Sequence, residues 1–483
     1  MLGGVVAVAA LLRFALLGRN SIWFDEAYVV RVALSPWQTI PAVLRAAEFH
    51  PPLYYLLMKA WIGMTGVHEA ALRFPSACFG VLTVFLTYAV VRRVSSDALG
   101  LLSAGLVAVS PFSVMASQDA RMYALLAALT LASALLLADG VERGGALRWG
   151  AYGLVSGAML YTHYLGFCVL LAHGVWVAWF ERRHLREWVA AAAAAAILYL
   201  PWLPSLWAQV TRTGTIASGD PTSLLDLSQV AGLFAFGGSL LGMPSFFFRN
   251  TSLGPIEQLM LLLPFLLVVW RGLLSRASGP RGLALLGLPL VVSIGMAFCA
   301  SLARPIFAAR WFSFLVPFYA AFLALGIHDA AGQFRFPQPR VVAAVAAGLL
   351  LYSVPVFDRY YFDPWFRPYQ WRQAAGVVRG LARSGDLYVY GDGQSELAFT
   401  YYYGPTPGDV VLGPGFDPAE LRRLSGHFAR LWLIVAPPFT EERTTETLRV
   451  FGGAYKVVAR SGTGDRVIFP HLYLLEAVAG PAR

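Results

Sequence analysis

A helix needs about twenty apolar residues to cross a bilayer, and this sequence supplies runs of that order repeatedly. They fall at Leu2–Gly18 and then near 70–91, 98–116, 121–138, 149–163, 165–180, 188–208, 256–273, 282–302, 308–328 and 340–357, about eleven in all. Backbone polar groups in hydrocarbon must be satisfied within the segment or in a closed barrel, so runs this long predict a helical membrane bundle. The pair 149–163 and 165–180 also reads as one long broken helix. Composition agrees: 58% of residues are hydrophobic and 13% charged, against about 25% charged in soluble domains, and the mean hydropathy is +0.60. Disordered, collagen-like and disulfide-scaffold chains are excluded. A net charge of +10 can mark nucleic-acid binding, but in so apolar a chain the bias of Arg around membrane spans explains it, and no nucleic-acid partner is expected. Cys78, Cys168 and Cys299 all sit in apolar runs and are not spaced as metal ligands.

The first run lacks a basic leader and a small-residue cleavage site and reads as an uncleaved helix, interrupted by Arg13, which is costly unless it snorkels or faces the bundle. Alternate connections carry Arg92/Arg93, Arg143/Arg148, Arg182/Arg183/Arg186, Arg271/Arg276/Arg281 and Arg335/Arg340. These are expected in the cytoplasm. The N-terminus is then expected inside and the C-terminus outside, which for a protein of a bacterial inner membrane means the periplasm. Residues 20–69 form a long outer loop with two amphipathic patterns suited to the membrane surface, and 209–255 holds a surface or re-entrant helix. Past Asp358, strand-like D-L-Y-V-Y-G-D (386–392), R-L-W-L-I-V-A-P-P (430–438), A-Y-K-V-V-A-R-S (454–461) and 465–477 alternate with helical stretches near 369–383, 417–428 and 440–451. The expected architecture is mainly α: a polytopic transmembrane bundle over 1–357 and a small soluble α/β domain over 358–483.

Chemistry-bearing residues gather at the outer ends of the spans. N-S-I-W-F-D-E-A-Y (20–28) places Asp25 and Glu26 side by side at the mouth of the bundle. Carboxylates beside hydrocarbon tend to be functional because their desolvation is expensive, and Asp25 can serve as a general base; the plainer alternative is a helix cap with interface charge. H-P-P-L-Y-Y (50–55) holds His50 rigidly at a helix start with Tyr54 and Tyr55 following; the alternative is a cap and an aromatic belt. In S-Q-D-A-R-M-Y (117–123), Asp119 and Tyr123 share a face if the segment is helical and Arg121 points away, so a joint role for Asp119 and Arg121 requires a non-helical turn. Arg73, Arg304 and Arg310 occupy outer span ends, where a guanidinium suits a lipid phosphate and snorkelling is the alternative. His163 and Tyr164 in L-Y-T-H-Y-L-G are weaker candidates.

F-D-E-A-Y after the first span, H-P-P-L-Y-Y in the first outer loop, Q-D-A-R-M-Y at the third-to-fourth turn and A-A-R-W-F-S-F-L-V-P near the end of the bundle together resemble the polyprenyl-phosphate-dependent glycosyltransferases of the GT-C class. Those nearest in pattern are the bacterial relatives of protein O-mannosyltransferases and lipid A aminoarabinose transferases. The resemblance covers roughly 1–357. It implies a lipid-linked sugar donor in the outer leaflet and an acceptor arriving from the periplasm or the membrane. By the same resemblance Asp25 binds or deprotonates the acceptor hydroxyl with Glu26 in support, and Asp119 orients the acceptor or helps hold a divalent ion. His50 matches the residue before the double proline in the O-mannosyltransferases, where the aminoarabinose transferases carry Lys. The Glu that precedes that Lys is replaced here by Phe49, with Glu48 one further back, which weakens the case for a metal ligand there. Beyond a divalent ion at Asp25 and Asp119, no cofactor is implied. The expected reaction is a single inverting displacement of polyprenyl phosphate. The rival reading is a lipid or sugar transporter or flippase without chemistry, which predicts polar residues throughout the bundle and discontinuous spans in matching halves.

Overall fold

In this computed structural model the described residues are 1–47, 49–211, 222–236, 255–333, 344, 348, 353–363, 369–406, 408–412, 423, 427–436, 441–461 and 470–478. They divide into two units: Met1–Leu17 with Val32–Asp358, and Gly18–Arg31 with Arg359–Arg483.

The first unit is a helical bundle whose helices follow the apolar runs. Glu69–Val94, Tyr123–Arg143, Arg182–Thr211, Gly279–Ala303 and Ala309–Gln333 are each long and apolar enough to cross a membrane, and a bent pair, Asp97–Val109 with Pro111–Ser117, makes a sixth. Leu2–Phe14 and Leu165–Phe180 are shorter apolar helices, and most of the expected run 340–357 lies outside the described residues. The protein is thus multi-pass, and the expected eleven spans exceed what the described helices establish. Runs 149–163 and 165–180 are two helices, Ala146–Leu160 and Leu165–Phe180, separated by a turn. Gly279–Ala303 has a mean hydropathy of 2.3 yet is only 22% buried, whereas Ala309–Gln333 is 78% buried. An apolar helix left so uncovered is tolerable only against lipid; the better-covered one lies at the centre.

The run 98–116 is not straight as its composition suggests. It bends by 64° between Val109 and Pro111, because proline lacks the N–H that would continue the ladder. The carbonyls released there are taken by Arg13 of the first helix. Its guanidinium donates to Val107 O at 3.1 Å, Ala108 O at 3.0 Å and Ser113 Oγ at 2.9 Å. Arg13 is fully buried, so it faces the bundle. The exchange is reciprocal. Gln118 Nε2 donates to the carbonyls of Leu12, Arg13 and Ala15 at 3.1, 3.0 and 2.9 Å, closing the end of the first helix, where carbonyls run out of intrahelical donors.

Where Pro255–Leu273 crosses Val316–Gln333, glycines let the backbones touch. A β-carbon at Gly326 would fall on the Val268 carbonyl oxygen, and one at Gly272 on that of Phe322. Backbone cannot swing aside, so Gly326→Val is expected to cost about 1–3 kcal/mol or more. The check is a lower melting temperature in detergent, with Gly295→Val, whose β-carbon meets open space, as the control.

The arginine-rich connections cluster together. Arg93, Arg143 and Arg148 reach Asp139 at 3.0, 3.1 and 2.9 Å, Arg281 reaches Glu181 at 2.8 Å, and Ser95 Oγ bonds the Ala277 carbonyl at 3.4 Å. These connections therefore share one end of the bundle, as alternate loops of a multi-pass chain must.

In the second unit a five-stranded sheet has the order β2-β1-β3-β5-β4, with β1 Leu387–Tyr390, β2 Val410–Val411, β3 Arg430–Val435, β4 Tyr455–Ser461 and β5 His471–Ala477. β2, β1 and β3 are parallel; β5 runs antiparallel to β3 and β4. The central β1 and β3 are buried throughout, which accounts for their continuous apolar sequence. Edge strand β4 is mostly exposed and carries Lys456 and Arg460, charges that discourage further pairing. Helices Trp371–Leu381, Gly393–Tyr403 and Glu441–Phe451 accompany the sheet. Gly393–Tyr403 starts where Asp392 accepts from the Ser395 N–H at 2.7 Å, an N-cap. Burial raises the Asp392 carboxyl above the usual carboxylate range. The expected helix near 417–428 lies almost wholly outside the described residues.

Candidate active site

Tyr123 begins the helix whose far end bears Arg143, so what surrounds Tyr123 lies at the bundle end opposite the arginine-rich connections. Just before it, Gln118–Met122 leaves the helix for a bend, with the Arg121 N–H donating to Asp119 O at 2.7 Å. This is the non-helical turn that a joint role for Asp119 and Arg121 requires. Both are almost completely buried. Gln118, anchored on the first helix, fixes the entry to the turn. At its other side Ser76 Oγ donates to Arg121 O at 3.1 Å and bonds Tyr54 Oη at 2.9 Å.

The Arg121 guanidinium donates to Tyr55 Oη at 3.2 Å and to His50 Nδ1 at 3.3 Å. Tyr54 and Tyr55 lie in the first turn of Leu53–Thr65, and the Leu53 N–H bonds Tyr161 O at 3.0 Å, which ties H-P-P-L-Y-Y to the turn carrying His163. The two imidazole centroids, His50 and His163, are 5.0 Å apart; Tyr123 and Trp311 flank His163 at 6.3 and 6.1 Å. A guanidinium has only donors, so His50 Nδ1 accepts. His163 Nδ1 likewise accepts from the Leu165 N–H at 3.1 Å. Each neutral ring then carries its proton on Nε2, a donor suited to an anion or a sugar oxygen. Arg121, His50, Tyr55, Tyr123 and His163 therefore form one buried, donor-rich cluster, and Asp119 lies in the same turn as Arg121.

The remaining arginines differ. Arg73 is fully buried, and its Nη1 donates to Leu17 O at 2.9 Å, in the turn just past the first helix. Arg304 follows Gly279–Ala303 and bonds the Val210 carbonyl. Arg310 lies in the 3-10 turn Ala309–Leu315, partly exposed, one residue before Trp311. Tyr164 accepts from Trp202 Nε1 at 3.2 Å and donates to Gln209, whose amide reaches Leu44 O at 3.0 Å; it braces the surface helix Ile40–Ala47. Ser76, Gln118 and Trp311 belong to the cluster or its supports, and sequence reasoning passed over them. Gln118 and Trp311 had one signal, position, each lying beside a residue already singled out; Ser76, three residues past Arg73, had none.

Asp25 and Glu26 lie in the second unit, in the first turn of Phe24–Leu34. Asp25 is 5% exposed and Glu26 fully buried. Glu26 Oε2 accepts the Trp23 N–H at 3.3 Å, the reach-back of a capping residue. Further along, Arg31 faces Glu396 at 3.9 Å; burial raises the Glu396 carboxyl and Arg31 partly offsets that.

Among the described residues no group of three His, Cys, Asp or Glu is arranged to hold a metal ion. Glu48 lies outside them.

Residues 49–207 match the family model of dolichyl-phosphate-mannose-protein mannosyltransferases, a third of the chain that includes H-P-P-L-Y-Y from His50, S-Q-D-A-R-M-Y and L-Y-T-H-Y-L-G. The fold as a whole is similar to ArnT from Cupriavidus metallidurans, with a TM-score of 0.63 at 12% identity over 97% of each chain. Its complex with undecaprenyl phosphate gives 0.61 at the same identity and coverage. The Archaeoglobus fulgidus oligosaccharyltransferase AglB, in complex with an inhibitory peptide and a dolichol-phosphate, gives 0.56 at 14% identity over 89% of this chain and 68% of that one. No curated protein sequence matches significantly. The fold and the family match together place the chain in the GT-C superfamily of membrane glycosyltransferases, the class its motifs resemble. Within that class, the segment carrying the donor-rich cluster is the one that matches the mannosyltransferase family.

Proposed function

We propose that the protein is an integral-membrane inverting glycosyltransferase that moves a sugar from a polyprenyl-phosphate donor to an acceptor hydroxyl, on a periplasmic or lipid-linked molecule, at the outer face of a bacterial inner membrane. The observation that carries this reading is the buried cluster of Arg121, His50, Tyr55 and His163 at the bundle end away from the arginine-rich connections. So many donors in an apolar bundle are costly to bury and fit a ligand rich in phosphate and hydroxyl oxygens. The bound lipid phosphates of the similar ArnT and AglB structures support the same ligand class.

In the reaction the acceptor oxygen attacks the anomeric carbon from one face. A new C–O bond forms as the bond from that carbon to the phosphate oxygen breaks, and configuration inverts. The acceptor proton passes to the Asp25 carboxylate; polyprenyl phosphate departs with the electron pair and needs no general acid. Asp119 orients the acceptor. Arg310, with Arg73, Arg121 and Arg304, balances phosphate charge, and His50, Tyr54, Tyr55, Tyr123 and His163 hold the donor. No step is routed through a metal ion. Base assistance is worth about 10²–10⁴-fold, and a fixed electrostatic partner about 10²–10³-fold.

The test is the protein in liposomes with a panel of undecaprenyl-phosphate-linked hexoses and pentoses, scored for hydrolysis or transfer. Turnover of at least one donor is expected, and none across the panel would favour a transporter. Arg310→Ala is expected to weaken donor binding by about tenfold or more with a smaller change in turnover at saturation; an unaltered apparent affinity would take Arg310 out of the phosphate site.

A further inference from the structure

The segment that carries Asp25 is held by the C-terminal α/β unit through an organised set of bonds. The Ile22 N–H donates to Tyr402 Oη at 2.7 Å. The Arg372 guanidinium donates to Gly18 O at 3.0 Å and Arg19 O at 3.3 Å. Ser21 Oγ accepts the Arg372 N–H at 3.3 Å and donates to Gln373 Oε1 at 3.4 Å. Arg19 lies over the Phe362 ring at 4.8 Å, and Arg372 itself over Tyr402 at 5.9 Å.

Three of these bonds, from Tyr402 and the Arg372 guanidinium, engage the backbone of residues 18, 19 and 22, immediately before the helix Phe24–Leu34. They come from helices Trp371–Leu381 and Gly393–Tyr403, distant in sequence. Bonds to backbone read no side chain of the segment; they set its path. The Tyr402 bond to Ile22 lies three residues ahead of Asp25, so it fixes the phase at which the helix begins and hence the direction of the first-turn carboxylates. Glu26, turned back onto Trp23, locks the same turn from within.

We infer that Tyr402 is a positioning residue for Asp25, and that the C-terminal α/β unit is thereby part of the catalytic apparatus. This deepens the reading of Asp25 as acceptor base and rests on it. Reacting groups held in register account for large rate factors, and a misplacement of about 1 Å can cost about 10²-fold. Loss of the Tyr402 hydroxyl is expected to lower turnover without touching the donor.

The test compares Tyr402→Phe, Arg372→Ala, Asp25→Asn and the double variant Tyr402→Phe/Asp25→Asn in liposomes, using whichever undecaprenyl-phosphate sugar the parent protein turns over. Tyr402→Phe and Arg372→Ala are expected to lower kcat about 5- to 30-fold with KM for the donor unchanged and with parental melting temperature. In the Asp25→Asn background, Tyr402→Phe is expected to bring no further loss, because a group that acts only through Asp25 has nothing left to act on. Parental kcat in both single variants, while Asp25→Asn is inactive, would overturn the inference and leave the proposed reaction standing. Equal, additive losses with and without Asp25, or a rise in KM alongside reduced thermal stability, would also overturn it, since that pattern marks general support of the fold. Full activity of Asp25→Asn, or no turnover of any donor, removes the proposed base or the proposed reaction and the inference with it.

Discussion

Asp25→Asn is expected to abolish nearly all turnover, by about 10²–10⁴-fold, while donor affinity stays near the parental value. The substitution is close to isosteric. It keeps a side-chain oxygen in the first turn of Phe24–Leu34, but it cannot take a proton. The structure separates the two adjacent carboxylates. Glu26 is fully buried and returns to the Trp23 N–H, the work of a cap. Asp25 retains 5% exposure. Glu26→Ala should therefore cost chiefly stability, by leaving the buried Trp23 N–H without its acceptor, about 1–3 kcal/mol, and Asp25→Asn chiefly rate. Single-turnover kinetics against equilibrium binding of the donor distinguishes the two. Parental rates in Asp25→Asn would eliminate the proposed base.

Arg121→Met should be nearly as severe, and for a different reason. The guanidinium binds Tyr55 Oη and His50 Nδ1 together. Without it, two buried groups lose their donor, a loss of about 1–3 kcal/mol each when it goes uncompensated. His50 also loses the contact that fixes its tautomer, so its Nε2–H is no longer dependably presented. We expect at least a 100-fold fall in kcat/KM, with donor binding and turnover both affected. Arg121→Lys should recover little, because one ammonium cannot span two partners as a planar fork does. Recovery to within a few-fold of the parent in the lysine variant would show that charge alone, without the fork, is what the cluster needs.

Much of the bundle was legible because spanning length and apolarity are local properties: the runs beginning near residues 70, 121 and 282 reappear as helices starting at Glu69, Tyr123 and Gly279. β1, β3 and β4 were legible as apolar or alternating runs, whereas the two-residue β2 and the helix Gly393–Tyr403 were not. The latter is rich in tyrosine and carries no amphipathic period to announce it. The break at Pro111 was missed because its flanks stay apolar, and a proline alone does not say whether a span kinks or ends. Arg13 was recognised as costly, but apart from the Ala9 carbonyl in its own helix its partners at Val107, Ala108 and Ser113 lie more than ninety residues away, beyond any local pattern. The same holds for the site. Asp119, Arg121, His50 and His163 stood out as polar groups at span ends, yet the turn that brings Arg121 to His50 depends on Gln118 reaching back to the first helix. The link from residues 18–22 to Arg372 and Tyr402 crosses some 350 positions and left no trace in either segment.

The exchange between Arg13 and the kinked helix bears on how the chain is made. A nascent third span arriving alone would bring open carbonyls into oil, and a first span arriving alone would bring a bare cation. Neither is at ease until the other is beside it. The first helix must therefore wait near the insertion machinery for a partner synthesised about a hundred residues later, and the kink becomes permanent only when the two meet.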